Sequence, residues 1–169
     1  MRELHCPICG NSFVRVIYQE GTVERLLSLV NVFPFRCQLC TNRFRAFSPG
    51  ARHNTQAFDR RQYTRLVASI EAKVLDPTQP SVTNRITDIS MDGCTLQATG
   101  FPKGAFIELV LQPTVEGETI HIKTAMVCSV RPLSVGVRFL EIPSEQYRRL
   151  AQVVLALLVG QDLDPMLNA

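Results

Sequence analysis

The chain of 169 residues contains no tryptophan, and aromatic residues make up only 7% of it. It also lacks a long apolar run, because the longest one, near residues 153–159, is far shorter than the ~20 residues that span a bilayer. The first residues after Met1 are Arg, Glu, His and Cys, which do not resemble the apolar core of a signal peptide. We therefore expect a cytoplasmic protein that does not insert into a membrane.

Excess charge is small, and so is the number of candidate catalytic groups. The net charge of +3 is too low for a general nucleic-acid binder. It is unevenly distributed: residues 1–75 carry eleven Lys/Arg against five Asp/Glu, or +6, and the remaining residues sum to −3. Positive potential that could steer an anion is thus concentrated in the first half. His5, His53 and His121 are scattered, and no nucleophile–base pair or phosphate-binding glycine loop accompanies them, so we do not expect an enzyme.

Four of the six cysteines form two Cys-x-x-Cys pairs, Cys6/Cys9 and Cys37/Cys40. Two residues between ligands let each pair bind a metal from one turn, so the four thiolates can surround one tetrahedral zinc. A module this small needs such a cross-link because it cannot bury enough apolar surface to fold alone. Residues 4–47 resemble a zinc ribbon, although the 27-residue gap between the pairs is unusually long. Residues 23–32 within it could form an extended hairpin or a short helix.

Other interpretations of these cysteines and their neighbours remain open. A redox dithiol is disfavoured because the pairs lack the βαβ setting of such motifs. Arginines 36, 43 and 45 could contact nucleic acid, but they are equally typical of a solvated face, and a structural or adaptor role is favoured. Cys94 and Cys128 stand alone on predicted strands and are expected to be small core residues.

The rest of the chain predicts a mainly β fold. From Leu66 onward apolar and polar residues alternate, as at Ile107, Leu109 and Leu111, which is typical of strands with one buried face. Roughly six such strands between turn signals indicate an antiparallel barrel or sandwich. After Pro143, Ser144 can cap an amphipathic helix that would stop near Gly160. The expected organisation is a zinc module at 1–47, a linker at 48–56, a barrel domain with its helix at 57–162 and a tail at 163–169.

Two short segments point to a ligand: Arg60-Arg61-x-x-x-Arg65 and Asp88-x-Ser90-x-x-Gly93. Arginine forks suit phosphates and the O6/N7 edge of guanine, and a carboxylate can accept from guanine N–H groups. Together the two segments predict a pocket for an anionic guanine nucleotide.

The same two segments, with the later Gly136-Val-Arg-Phe139 and the closing helix, resemble the PilZ domain, a bacterial receptor for cyclic di-GMP, over about residues 57–160. The resemblance implies a six-stranded antiparallel barrel with a C-terminal helix. It also implies a ligand site in which Arg61 and Arg65 bind phosphates and guanines, while Asp88 accepts from a guanine Watson–Crick edge. Ser90 would donate or accept beside it, and Gly93 would let the backbone approach closely. A cation at Arg60 is associated in the family with capture of a stacked pair of ligands.

The leading functional hypothesis is a signalling effector. Cyclic di-GMP would close the arginine segment over the barrel and alter the arrangement of the zinc module or a surface for an unidentified protein partner. The alternative is a nucleic-acid-binding or adaptor protein with a PilZ-like domain that does not bind nucleotide. Either hypothesis includes one structural zinc on Cys6, Cys9, Cys37 and Cys40.

Overall fold

The computed structural model describes residues 4–49, 61–76, 79–113 and 118–162. The chain forms two compact units, Met1–Thr64 and Arg65–Ala169. Most of the predicted linker at 48–56 lies outside the described residues, and so does Arg60.

The first unit is a three-stranded antiparallel sheet with one helix. Its elements are β1 (Val14–Val16), α1 (Gly21–Leu29), β2 (Val32–Cys37) and β3 (Arg43–Phe47), with strand order β1-β2-β3. The stretch that the sequence left undecided is therefore a helix followed by a strand. A small core forms around the buried Val16, Phe33 and Phe35, and the rings of Phe35 and Phe44 stack with centroids 5.9 Å apart. The aromatic residues flanking the second cysteine pair thus pack together.

A buried carboxylate fastens α1 to the sheet. Glu24 is only 3% exposed and accepts two hydrogen bonds from Arg43, at 2.7 and 2.9 Å, and one from Arg45 at 3.4 Å. It also accepts from the backbone N–H of Glu20 at 2.7 Å. Because a buried charge is tolerated only when it is paired and hydrogen-bonded, this cluster ties the helix to β3 at a specific place.

The second unit is a closed barrel of six strands with a C-terminal helix. The strands are β4 (Leu66–Asp76), β5 (Gln79–Ser90), β6 (Gly93–Gln97), β7 (Phe106–Gln112), β8 (Ile120–Arg131) and β9 (Ser134–Glu141). They close in the order β4-β5-β6-β9-β8-β7, and every neighbouring pair is antiparallel. The predicted mainly β fold, with its six-stranded barrel and closing helix, is confirmed.

The apolar residues of the alternating pattern pack in the barrel interior. Ile107, Leu109 and Leu111 are all buried, and register shifts in β8 change which of its residues face inward. Cys94 is fully buried, as predicted, and its burial raises the pKa of its thiol. The prediction for Cys128 is wrong: Val127 points into the barrel, so the side chain of the next residue points outward and is exposed.

The closing helix α2 (Ser144–Asp162) packs against β4 and β8. Leu150, Val154 and Leu158, spaced four residues apart, are its buried positions. The predicted stop at Gly160 is wrong, since this glycine does not adopt the left-handed conformation that ends helices and α2 continues to Asp162. Within the described parts of both units, no helix combines the length and apolar character needed to cross a bilayer.

Candidate functional site

A compact group of polar side chains lies where β4 begins beside β5 and β6. Asp88 on β5 is paired with Val67 on one side and with Thr95 of β6 on the other. Arg65 Nη1 donates to Asp88 Oδ1 at 3.0 Å and to Thr95 Oγ1 at 2.8 Å. Thr95 Oγ1 donates to the same carboxylate oxygen at 3.0 Å. The structure therefore brings Arg65 and Asp88 together, and both remain accessible, with side-chain exposures of 37% and 26%.

Thr95 is not among the residues predicted from the sequence, although the hairpin register places it opposite Asp88. Ser90 pairs with Gly93 across a turn of two residues, and in an antiparallel ladder each step back on β5 matches one step forward on β6. Asp88 therefore faces Thr95. A tight hairpin at residues 88–93 would have predicted this pairing and therefore Thr95 as a member of the site.

Ser90 has a structural role in that turn. It is only 5% exposed, and its Oγ donates to the Gly93 carbonyl at 3.2 Å and accepts from the Asp92 N–H at 3.3 Å. Next to it, Asp92 pairs with Arg138 of β9 at 3.5 Å, and both of these side chains are solvent-accessible. The hydroxyl thus fixes the turn that holds Asp88, whereas its predicted contact with a guanine stays a prediction.

Gly93 is required by the barrel itself. It lies opposite Arg138 in the β6–β9 ladder, and a Cβ built on it would overlap the carbonyl oxygen of Val137. The sequence attributed this glycine to the close approach of a ligand. The structure adds that two backbones already approach each other there, so any side chain would push β6 away from β9.

Replacing Gly93 by alanine is expected to destabilise the barrel by about 3 kcal/mol, at the upper end of the usual cost of overpacking a tight site. Urea unfolding followed by circular dichroism measures the change. Gly160→Ala is the matched control, because an added Cβ meets open space there and alanine favours a helix. Equal unfolding midpoints for Gly93→Ala and the wild type would contradict this role.

The remaining members of the arginine motif are not all placed. Arg61 is exposed and belongs to the unit that ends at Thr64, whereas Arg65 begins the barrel unit. Arg60 lies outside the described residues. The structure therefore describes Arg65, Asp88, Ser90 and Gly93 as neighbours in one unit and Arg61 as part of the other.

The four cysteines of the Cys-x-x-Cys pairs converge as the sequence predicts. Their sulfur atoms all lie within 4.8 Å of one another. Cys6 Sγ is 3.5 Å from Cys40 Sγ, and Cys9 Sγ is 3.6 Å from Cys37 Sγ. Tetrahedral zinc with Zn–S bonds of about 2.3 Å requires sulfurs about 3.8 Å apart, so the set fits this metal.

The two knuckles share one backbone geometry. Gly10 and Thr41 each follow the second cysteine of a pair, and they have φ angles of 69° and 60°. The N–H of Gly10 donates a hydrogen bond to the carbonyl of Cys6 at 2.9 Å, which closes the first turn. Both turns therefore have a left-handed residue at the same position, and in both the first cysteine N–H donates to the carbonyl five residues later, at 2.8 and 2.9 Å.

Electrostatics within the cluster favour a cation. Burial opposes ionisation of Cys6, but N–H groups of Cys9 and Ile8 and the neighbouring thiols lower its pKa to about 7. Burial raises the pKa of Cys40 to about 12, with the adjacent thiols adding to the rise, and burial also raises the pKa of Cys37. Four thiolates this close repel one another, and a divalent metal would offset that repulsion.

The arginines considered for nucleic acid are engaged within their own unit. Arg43 pairs with Glu20 and with the buried Glu24, and Arg45 pairs with Glu24, so two carboxylates offset the two charges. Arg36 Nη1 donates to the carbonyl of Thr41 at 3.0 Å and to the hydroxyl of Tyr63 at 3.1 Å. These contacts support structural roles for the three arginines.

Comparison with known proteins identifies the family of the barrel domain. Residues 59–156 match the PilZ domain model. No curated protein sequence matches the chain significantly. Among solved structures, the PilZ domain of YcgR from Escherichia coli with c-di-GMP has a TM-score of 0.53 at 17% identity, over 64% of this chain and 100% of that one. YcgR from Escherichia coli in complex with c-di-GMP gives 0.54 at 15% identity, over 87% and 75%. K. pneumonia MrkH in its apo state gives 0.52 at 18% identity, over 63% and 55%.

At these identities the solved structures establish the shared fold. The family match covers more than half of the chain and includes both ligand segments. It also contains all six barrel strands and most of the closing helix. The chain therefore belongs to the PilZ domain family.

Proposed function

We propose that the protein is a cytoplasmic receptor for cyclic di-GMP. The observation that carries the proposal is the accessible cluster of Arg65, Asp88 and Thr95 at one edge of a PilZ barrel. Support also comes from the family match and from the two YcgR structures, which contain c-di-GMP.

The chemistry of the cluster suits a guanine dinucleotide. Arg65 offers a charged fork for a phosphate or for the O6/N7 edge of guanine, and Asp88 offers a carboxylate for guanine N–H donors. Their mutual hydrogen bond orients both groups before a ligand arrives, which lowers the ordering cost of binding. Arg61 is proposed to supply the second fork. Ser90 and Gly93 hold the β5–β6 hairpin that carries the aspartate.

The cysteine cluster is proposed to hold one structural zinc. Cys6, Cys9, Cys37 and Cys40 supply four thiolates, which is the closed ligand set of structural rather than catalytic sites. When bound, the metal provides a cross-link between the two knuckles. The proposed role of the whole protein is accordingly ligand binding without catalysis.

Calorimetric titration of the full chain with cyclic di-GMP, cyclic di-AMP and GTP tests the receptor function. Saturable binding is expected for cyclic di-GMP alone, because Asp88 distinguishes guanine from adenine and the paired arginines require two phosphates held in one ring. Absence of binding to cyclic di-GMP, or equal affinity for all three nucleotides, would contradict the proposal.

The titration with cyclic di-GMP also gives the number of ligands bound per chain. Two are expected from the cation at Arg60, and a ratio of one would contradict that expectation.

The proposed output is a change in a protein-binding surface. Ligand binding would close the arginine segment over the barrel and alter the N-terminal module or a surface recognised by a partner. Such a shift occurs only if the ligand prefers one of two arrangements. Nucleic-acid binding is the less supported alternative, because the arginines assigned to it are engaged in Glu24 and Tyr63 contacts.

A further inference from the structure

A buried glutamine inside the second cysteine knuckle contacts the chain just before the barrel. Gln38 lies between Cys37 and Cys40 and is only 6% exposed. Its Oε1 accepts from the N–H of Thr64 at 2.7 Å, and its Nε2 donates to the carbonyl of Gln62 at 3.3 Å. The same Nε2 donates to the carbonyl of Arg36 at 3.2 Å. Both ends of one amide are therefore used to hold the backbone of residues 62–64.

Two arginines of the neighbouring strands hold the side chains of the same segment. Arg15 and Arg36 face each other across β1 and β2. Arg36 Nη1 donates to the Tyr63 hydroxyl at 3.1 Å, and its guanidinium lies over the Tyr63 ring at 5.5 Å. Arg15 Nη1 donates to Thr64 Oγ1 at 3.0 Å. Three consecutive residues are thus fastened to the cysteine module.

The fastened residues are the ones that separate the two arginines of the ligand motif. Arg61 precedes the segment and Arg65 follows it directly in the chain. Holding the backbone of residues 62–64 restricts the conformations from which the neighbouring Arg61 can present its guanidinium. A binding group ordered in advance costs less free energy to use, and each backbone residue left unordered has its own entropic cost.

We propose that Gln38 is a positioning residue for the arginine motif, so that metal binding at the cysteine cluster and cyclic di-GMP affinity are coupled. The inference rests on the proposed receptor function. Zinc on Cys37 and Cys40 would fix the knuckle, the knuckle fixes Gln38, and Gln38 holds residues 62–64. Coupling of this kind is reciprocal, so cyclic di-GMP would also strengthen zinc binding by the same factor.

The first test replaces Gln38 by leucine in the full chain, which keeps its volume and removes its hydrogen bonds. We expect cyclic di-GMP to bind about tenfold more weakly, as for the loss of one or two buried hydrogen bonds, with zinc still at one per chain by elemental analysis. Gln19→Leu, at a partly exposed glutamine of the same unit, is the matched control and should change affinity less than twofold.

The second test uses the wild-type chain, so its result does not depend on whether a variant folds. A chromophoric chelator competes for zinc with and without saturating cyclic di-GMP, and the ligand is expected to raise the apparent zinc affinity several-fold. If wild type does not bind cyclic di-GMP in the calorimeter, the receptor function itself is overturned. Two results would overturn only the coupling, given that the wild type binds cyclic di-GMP. One is a zinc affinity that is the same with and without cyclic di-GMP, and the other is a Gln38→Leu variant that binds cyclic di-GMP as tightly as the wild type.

Discussion

Replacing Arg65 by alanine is expected to weaken cyclic di-GMP binding by about 10- to 150-fold, since a hydrogen bond to a charged group contributes about 1.5–3 kcal/mol. The substitution removes a guanidinium that donates to both Asp88 and Thr95. It also leaves the carboxylate without its orienting partner. Isothermal titration calorimetry at fixed ionic strength measures the change.

The same substitution should leave the barrel folded. The Arg65–Asp88 pair is partly solvent-exposed, and exposed ion pairs contribute about 0–1 kcal/mol to stability. Arg148→Ala, at an exposed arginine of α2, removes an equal charge elsewhere and controls for general electrostatics. Arg65→Lys keeps the charge but loses the planar fork, so its affinity should fall between those of alanine and arginine. Binding by Arg65→Ala within threefold of wild type would remove Arg65 from the site.

The barrel was predictable from the sequence because period-two alternation reports directly on which face of a strand is buried. Ile107, Leu109 and Leu111 follow that rule without interruption. Cys128 departs from the expectation because alternation in β8 is interrupted by register shifts that depend on pairing with β9. Such irregularities are set by contacts between strands and leave little trace in one strand's own pattern.

The ligand segments were recognisable because spacing within a hairpin is local, whereas the contacts that support them are not. Asp88 and Gly93 lie in one hairpin, so their order in the sequence preserves their proximity. Gln38 and Thr64 are 26 residues apart, and a lone glutamine between two cysteines carries no periodic signal. Likewise, the need for glycine at position 93 comes from Val137 on another strand, which no pattern around the hairpin could indicate.

Replacing both Cys37 and Cys40 by serine is expected to abolish zinc binding and unfold residues 4–47, the largest effect on structure that we predict. The core cluster of this unit is small, with Val16, Phe33 and Phe35 as its buried members among the described residues. A structural zinc contributes about 10–16 kcal/mol in small peptides, and the loss of two thiolates forfeits most of it. Elemental analysis should give no zinc, and heteronuclear NMR should show collapse of the dispersed amide signals of this unit.

The barrel should survive this loss, because its core is separate and much larger. Signals of buried residues such as Leu109 and Ile122 are expected to keep their positions, and the barrel should still unfold cooperatively in urea. Cys128→Ser is the matched control, since this exposed thiol lies outside the cluster and its loss should leave zinc at one per chain. A folded first unit in the double variant, or wild-type protein purified without chelator that contains no zinc, would contradict the assignment.

The affinity of the double variant for cyclic di-GMP shows whether the zinc module contributes to ligand binding. Binding about as weak as that of Gln38→Leu indicates that zinc acts through the glutamine. Unchanged binding indicates that the barrel recognises its ligand independently of the module.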